Sequence, residues 1–328
     1  MDYCMSVLEK WLPPITKEDK EFFYQILTDT TQTPGAFMLK EYVKRIIPYM
    51  TSILRSKEYD CLASGAVFFF GCLVYIMHFP KWGDYIDDIL LYNLLYLLVD
   101  HYIDDNEMSD EIKQKSIKQM WILIQNPLSE VELVDPLLGQ IASIYHKLIT
   151  RRPNTKNAII KVFEVEIEGL KIQNNPNSTR EEYLDIARRK GAYSVQVLHH
   201  MLGDTSKENY EQAYLWGAVL QLVDDSIDIN DDLRNKINTI GTHEIKTKGN
   251  ADDLWIEIVT LIDSAKDFKI FKVIFSIFSA YLPGRYPENY TGKLKDLVKN
   301  FNMFEGCDSS SMLVNSIKNE LFAQEVLN

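Results

Sequence analysis

The sequence predicts an all-α protein, and three observations carry this. Apolar residues recur at helical spacing through most of the 328 residues. Strand-like alternation bounded by turn residues is nearly absent. Proline and glycine fall mostly between the periodic segments. Several segments are long and apolar over much of their circumference, which suits the interior of a large bundle better than its surface. No Gly/Ser/Pro-rich linker, low-complexity tract or fixed-period repeat interrupts the chain, so 1–328 reads as a single domain.

The periodicity predicts helices over 17–29, 37–56, 59–78, 84–104, 109–125, 132–150, 156–172, 179–202, 207–232, 251–264, 267–281, 290–301 and 309–325. Lys40, Lys44 and Arg45 form a small basic patch on the second, the pattern of a solvated face. Phe68, Phe69, Phe70 and Tyr75 lie in an apolar helix and read chiefly as core. Asp84, Asp87 and Asp88 follow Lys81-Trp82-Gly83 at a helix start, where capping and the helix dipole explain acids. In the 179–202 helix, Arg188, Arg189 and Lys190 stand together beside Gly191, which permits close backbone approach. His199 and His200 are adjacent, point to different sides and cannot both bind one metal from that helix. Arg285-Tyr286 sits in a Pro-Gly loop that reads equally as a lid or as a plain turn.

A net charge of −12 argues against nucleic acid or an anionic membrane as partner. An anionic substrate would need metal ions or a local basic cluster. Cys4, Cys61, Cys72 and Cys307 have no metal-ligand spacing and read as reduced thiols of a cytoplasmic protein. The N-terminal residues lack a basic stretch followed by an apolar core, so no signal peptide is expected. The longest apolar runs, 62–77 and 89–99, contain Gly, Ser, Asn or Tyr and stop short of a membrane span.

Two acidic rows stand out against this background. The apolar start of the 207–232 segment runs into Asp224, Asp225, Asp228, Asp231 and Asp232. Residues four apart share a helix face, so Asp224, Asp228 and Asp232 form one row, flanked by Asp225, with Gln221 one turn below it. The run 90–99 likewise leads into Asp100 and Asp104. Like charges on one stripe repel, and folding has no need of them. A hard cation such as Mg²⁺ would relieve the repulsion, because it prefers carboxylate, water and phosphate oxygens. If the two helices face each other, the rows line opposite walls of one pocket.

These residues carry a family resemblance. GAVLQLVDDSID resembles the second aspartate-rich motif of trans-isoprenyl diphosphate synthases, G-x-x-F-Q-x-x-D-D-x-x-D. DLRNKINTI resembles the segment after it, with Lys236 on the family's lysine. YLDIARRKGAYSV is similar to that family's Y-L-x-x-x-x-x-K-T-x-x-L helix, with Lys190 on the lysine. DHYID corresponds to the first motif, with His101 in place of its second aspartate. The resemblance is specific over about 180–240, weaker over 90–110, and elsewhere supports only the all-helical class. It implies the isoprenoid synthase class I fold, an α-helical bundle with a central pocket.

The departures shift the implied activity. The family's G-G-K-R-x-R-P becomes Tyr42 to Pro48, without both glycines and the second arginine. No arginine pair follows Asp104. Without those contacts a second diphosphate would be poorly held. What is left looks like a class I terpene synthase, a lyase of isoprenoid biosynthesis that uses one diphosphate. Asp224, Asp228 and Asp232 occupy the ligand positions of its second metal motif, with Asp for Ser and Asp for Glu. Arg188 matches its diphosphate-sensing arginine and Arg285-Tyr286 its Arg-Tyr pair, each at a shorter spacing.

The resemblance implies that Asp100, Asp104, Asp224, Asp225, Asp228 and Asp232 bind metal: three Mg²⁺, with Mn²⁺ as a substitute. Arg188 and Lys236 would act on the departing diphosphate, and Lys190, Gln221 and Arg285 with Tyr286 would contact substrate. Phe69, Tyr96, Tyr193 and Trp216 would offer aromatic faces to a carbocation. The implied substrate is an allylic prenyl diphosphate, farnesyl diphosphate first, and the implied partner is a second copy in a homodimer. The alternatives are a chain-elongating trans-isoprenyl diphosphate synthase, a head-to-head synthase of the squalene or phytoene type, and a non-enzymatic regulatory subunit.

Overall fold

The structure, a computed structural model, describes residues 72, 75, 76, 79, 82–104, 110–126, 133, 135–264, 287–292 and 294. Among the described residues all regular structure is helical. A 3₁₀ turn, Trp82–Tyr85, leads into α1 (Ile86–Asp104), followed by α2 (Asp110–Gln125), α3 (Pro136–Arg151) and α4 (Lys156–Gln173). Then come α5 (Arg180–Met201), α6 (Lys207–Ile227), α7 (Ile229–Asn235), α8 (Ile240–Lys248) and α9 (Asp252–Ser264). The helices predicted over 17–29, 37–56, 267–281 and 309–325, and most of 59–78 and 290–301, lie outside the described residues. None of the described helices is long and apolar enough to cross a membrane.

The helices fall into two compact units, one carrying α1–α3 and the other α4–α9, divided at the start of α4. In the first unit, α1 is apolar nearly all round and buries Ile89, Leu90, Leu94, Leu95, Leu98 and Val99. It packs on α3, and Tyr102 donates a buried hydrogen bond to Ser116 Oγ of α2 at 2.9 Å. Asp135 caps α3 by accepting from Leu137 N–H at 2.8 Å, with Pro136 in the first turn.

The acids around the start of α1 do not share one role. Asp84 and Asp87 are exposed at the helix start, where a capping or dipole role was expected. Asp88 is fully buried and accepts from Arg151 Nε at 2.5 Å and Arg152 Nε at 2.6 Å. The Arg152 guanidinium also lies 4.4 Å from the Tyr85 ring centroid. Asp88 thus ties the start of α1 to the end of α3, through partners more than 60 residues away that no local pattern reveals.

The second unit is built on α5 and α6, an antiparallel pair closed by a short turn. Thr179 and Glu182 form a capping box at the start of α5, and Ser206 caps α6. Asp204 fastens the turn by accepting from Ser206 N–H at 2.8 Å and Asn209 Nδ2 at 2.5 Å. His199 is buried, edge-on to Tyr210 at 5.4 Å, and burial pushes its pKa down, so it is a core histidine. Buried Glu244 on α8 joins three helices, accepting from Arg180 Nε of α5 at 2.8 Å and Leu254 N–H of α9 at 2.9 Å.

The two helices touch backbone to backbone at Gly191 and Gly217. A Cβ built on Gly217 would lie 2.0 Å from Gly191 O, and one on Gly191 would lie 2.0 Å from Gly217 O. No residue with a side chain fits there. This is the close approach expected of Gly191, and it sets the height of everything on the last two turns of α6.

Candidate functional site

The crossing at Gly191 and Gly217 brings Lys190 and the Asp224–Asp225 pair into one neighbourhood. Gln221 lies directly against Gly191, whose added Cβ would meet Gln221 Cβ at 2.7 Å. From there Gln221 Nε2 donates to Asp225 Oδ1 at 3.0 Å and reaches Asp224 Oδ2 at 3.5 Å. The one-turn spacing read from the sequence therefore corresponds to a contact. Asp224 is exposed and Asp225 buried, so the two adjacent carboxylates differ in environment.

Burial raises the Asp225 carboxyl from 3.8 to about 7, and the Asp224 and Glu166 charges add to this. The Gln221 hydrogen bond and the Lys190 charge oppose it. Lys190 Nζ lies 3.0 Å from Glu166 Oε2 of α4. Sequence reasoning passed over Glu166. The signal was present: Ile159, Val162, Phe163 and Gly169 are its buried companions on α4, so the apolar pattern sets a carboxylate in a core position.

The raised carboxyl has a measurable consequence in metal-free buffer. Folding then carries a penalty that is absent below pH 3.8, grows as pH rises toward about 7, and stays constant above. At about 1.4 kcal/mol per pH unit, it reaches several kcal/mol at neutral pH. Asp225→Asn keeps an acceptor for Gln221 and removes the penalty. We expect its melting temperature to match that of the parent near pH 4 and to exceed it increasingly up to pH 7 or 8. An unchanged or lower melting temperature at pH 8 would contradict the assignment.

The acidic row continues past the end of α6, with one correction to the predicted 207–232 helix. Helix α6 ends at Ile227, and Asp228, at φ −88° and ψ 1°, is the joint to α7. The four-residue hydrogen bonds nevertheless persist, Asp228 N–H to Asp224 O at 3.0 Å and Asp232 N–H to Asp228 O at 2.8 Å. Asp224 and Asp228 are exposed; Asp232 is half-buried and accepts from Thr239 Oγ1 at 3.1 Å. Thr239 is the N-cap of α8, a helix the sequence reading missed. A Cβ on Gly241 would lie 2.7 Å from Asp225 O, so the start of α8 braces the joint.

Lys236 ends α7 in the left-handed region at φ 60°. Its successor Ile237 donates to Asp232 O at 2.9 Å, the bond that closes a Schellman motif. Glycine would be about 1 kcal/mol less strained there than any side-chain-bearing residue. Arg188 is placed differently from Lys190: it forms an ion pair with Glu257 of α9, and burial pushes its pKa down. Lys190, rather than Arg188, is the α5 cation whose charge reaches Asp225. Tyr193 is half-buried on α5, and Trp216 is buried on α6.

Asp100, Asp104 and Tyr96 belong to α1 in the other unit, Asp104 being its last residue and Tyr96 half-buried. Phe69, Arg285 and Tyr286 lie outside the described residues. Among the described residues no three His, Cys, Asp or Glu side chains converge as a ready-made metal cage. Mg²⁺ does not require one, since it usually keeps several waters and takes one or two carboxylates plus substrate phosphates. The exposed carboxylates of Asp224 and Asp228 are oxygen donors of that kind, with no nitrogen or sulfur ligand beside them on the row. Comparison with family models, with curated proteins and with solved structures returns no match.

Proposed function

We propose that the chain is a Mg²⁺-dependent class I terpene synthase with the isoprenoid synthase class I fold. It ionises an allylic prenyl diphosphate, farnesyl diphosphate first, cyclises the cation and releases diphosphate. The observation that carries this reading is the junction of Lys190, Gln221, Asp224 and Asp225 at the α5–α6 crossing. It joins the two segments of the sequence that resemble the family most specifically.

In this reading Asp224, Asp228 and Asp232 hold Mg²⁺, with Asp225 behind them, and Asp100 and Asp104 bind the same kind of ion. Bound Mg²⁺ supplies neutralisation of the leaving diphosphate. Lys190 and Lys236 donate charge-assisted hydrogen bonds to its oxygens, as does Arg188 once drawn from Glu257. The left-handed lysine at 236 supports this role, because strain kept where glycine would be easier points to use of the side chain. Tyr193 and Trp216 provide aromatic faces worth roughly 0.5 to 2 kcal/mol each toward a cation.

Chelation tests the assignment. Protein dialysed against EDTA should give no pentane-extractable product from farnesyl diphosphate, and millimolar Mg²⁺ should restore it. Full turnover in metal-free buffer would contradict the reading, since the acidic row would then have no task in the reaction.

A further inference from the structure

Glu166 lies on the buried face of α4, among apolar neighbours. Burying a carboxylate is unfavourable unless a cation meets it. Lys190 Nζ does so at 3.0 Å, with the two side chains 22% and 11% exposed. The Lys190 and Glu166 charges both act on Asp225, with opposite signs. In the free protein the lysine charge is therefore compensated from α4, and Asp224 stands exposed at this end of α6. An anion approaching this end of α6 meets carboxylates and a lysine already engaged.

We propose that Glu166 is a positioning residue that makes capture of a diphosphate group conditional on divalent cations. It keeps Lys190 in an ion pair until a cation–diphosphate complex draws the lysine away. This rests on reading the α5–α6 crossing as a diphosphate site. The inference concerns Glu166 alone: by compensating Lys190 from α4, its carboxylate sets how strongly a metal-free diphosphate is refused.

Titration calorimetry of the full chain with inorganic pyrophosphate, with and without Mg²⁺, tests it. The parent protein should bind pyrophosphate far more weakly without Mg²⁺ than with it. Glu166→Gln removes one negative charge and releases Lys190. Its metal-free affinity should rise about tenfold or more, as expected for one unit charge at a partly buried anion site. Glu166→Gln combined with Lys190→Met should lose that gain. If Glu166→Gln does not fold, Glu166→Asp serves: it keeps the charge, withdraws the carboxylate by one methylene and should show a smaller gain. A merely structural glutamate would lower the melting temperature and create no metal-free binding. If both Glu166 variants keep the parent's metal-free affinity while the parent binds pyrophosphate with Mg²⁺, the inference is wrong and the site stands. If the parent binds no pyrophosphate even with Mg²⁺, the diphosphate site itself fails.

Discussion

Asp224→Ala should lower turnover by about 10²–10³-fold while leaving the protein folded. Asp224 is exposed on the last turn of α6, and its carboxylate accepts from Gln221 Nε2 at 3.5 Å. Its neighbours on the row are Asp225 and Asp228, both acidic. An exposed side chain buries little surface, and the Asp224 charge raises the buried Asp225 carboxyl. Its removal should hold or raise the melting temperature of the metal-free protein. Activity and stability should therefore move independently, which calorimetry and product assays on one preparation would measure. A variant that melts far earlier, with activity falling only in proportion to folded protein, would make Asp224 structural.

Gly217→Ala should do the reverse and damage both together. The new methyl would need to occupy space 2.0 Å from Gly191 O and 2.5 Å from Gly191 C, which is backbone and cannot turn aside. The helices must separate, at a cost of about 1–3 kcal/mol or more for an overpacked core. In a chain of this size that lowers the melting temperature by roughly 2–4 °C. Separation also carries Gln221 and the acidic row away from Lys190, so turnover should fall in the protein that remains folded. Gly83→Ala is the control, because nothing lies within 4 Å of its added Cβ. A Gly217→Ala protein with the parent's stability would show that the crossing is looser than these contacts.

The long helices were legible because their evidence is local. The apolar period alone puts the starts of α5, α6 and α3 within a few residues of where Thr179, Ser206 and Asp135 cap them. The joint at Asp228 was not legible, since the chain keeps its four-residue hydrogen bonds across it. Helix α8 was missed for a different reason. It spans 9 residues, and its capping box closes with Thr242 instead of Glu or Gln.

The site was legible as chemistry and less so as geometry. Gln221 and Asp225 were read as neighbours from spacing alone, and they are hydrogen-bonded. Lys190 was singled out by its resemblance, and its charge reaches the same carboxylate. The pairings between helices had no local signature, Lys190 with Glu166, Arg188 with Glu257 and Asp232 with Thr239, although the core position of Glu166 itself did. Asp88 shows the same limit, because its two arginines arrive from the C-terminal end of α3. Periodicity places a side chain on a face of its own helix; it does not say which element covers that face.

Product analysis tests the central claim most directly. The purified chain is incubated with farnesyl diphosphate and Mg²⁺, with and without labelled isopentenyl diphosphate, and both the organic extract and the aqueous diphosphates are identified. A cyclase should convert farnesyl diphosphate alone into a cyclic hydrocarbon or alcohol plus pyrophosphate. Isopentenyl diphosphate should then enter no longer product, because charge-assisted contacts of about 1.5–3 kcal/mol each are missing at the positions that would hold it. Label incorporated into a longer prenyl diphosphate would contradict the cyclase assignment and establish chain elongation in its place.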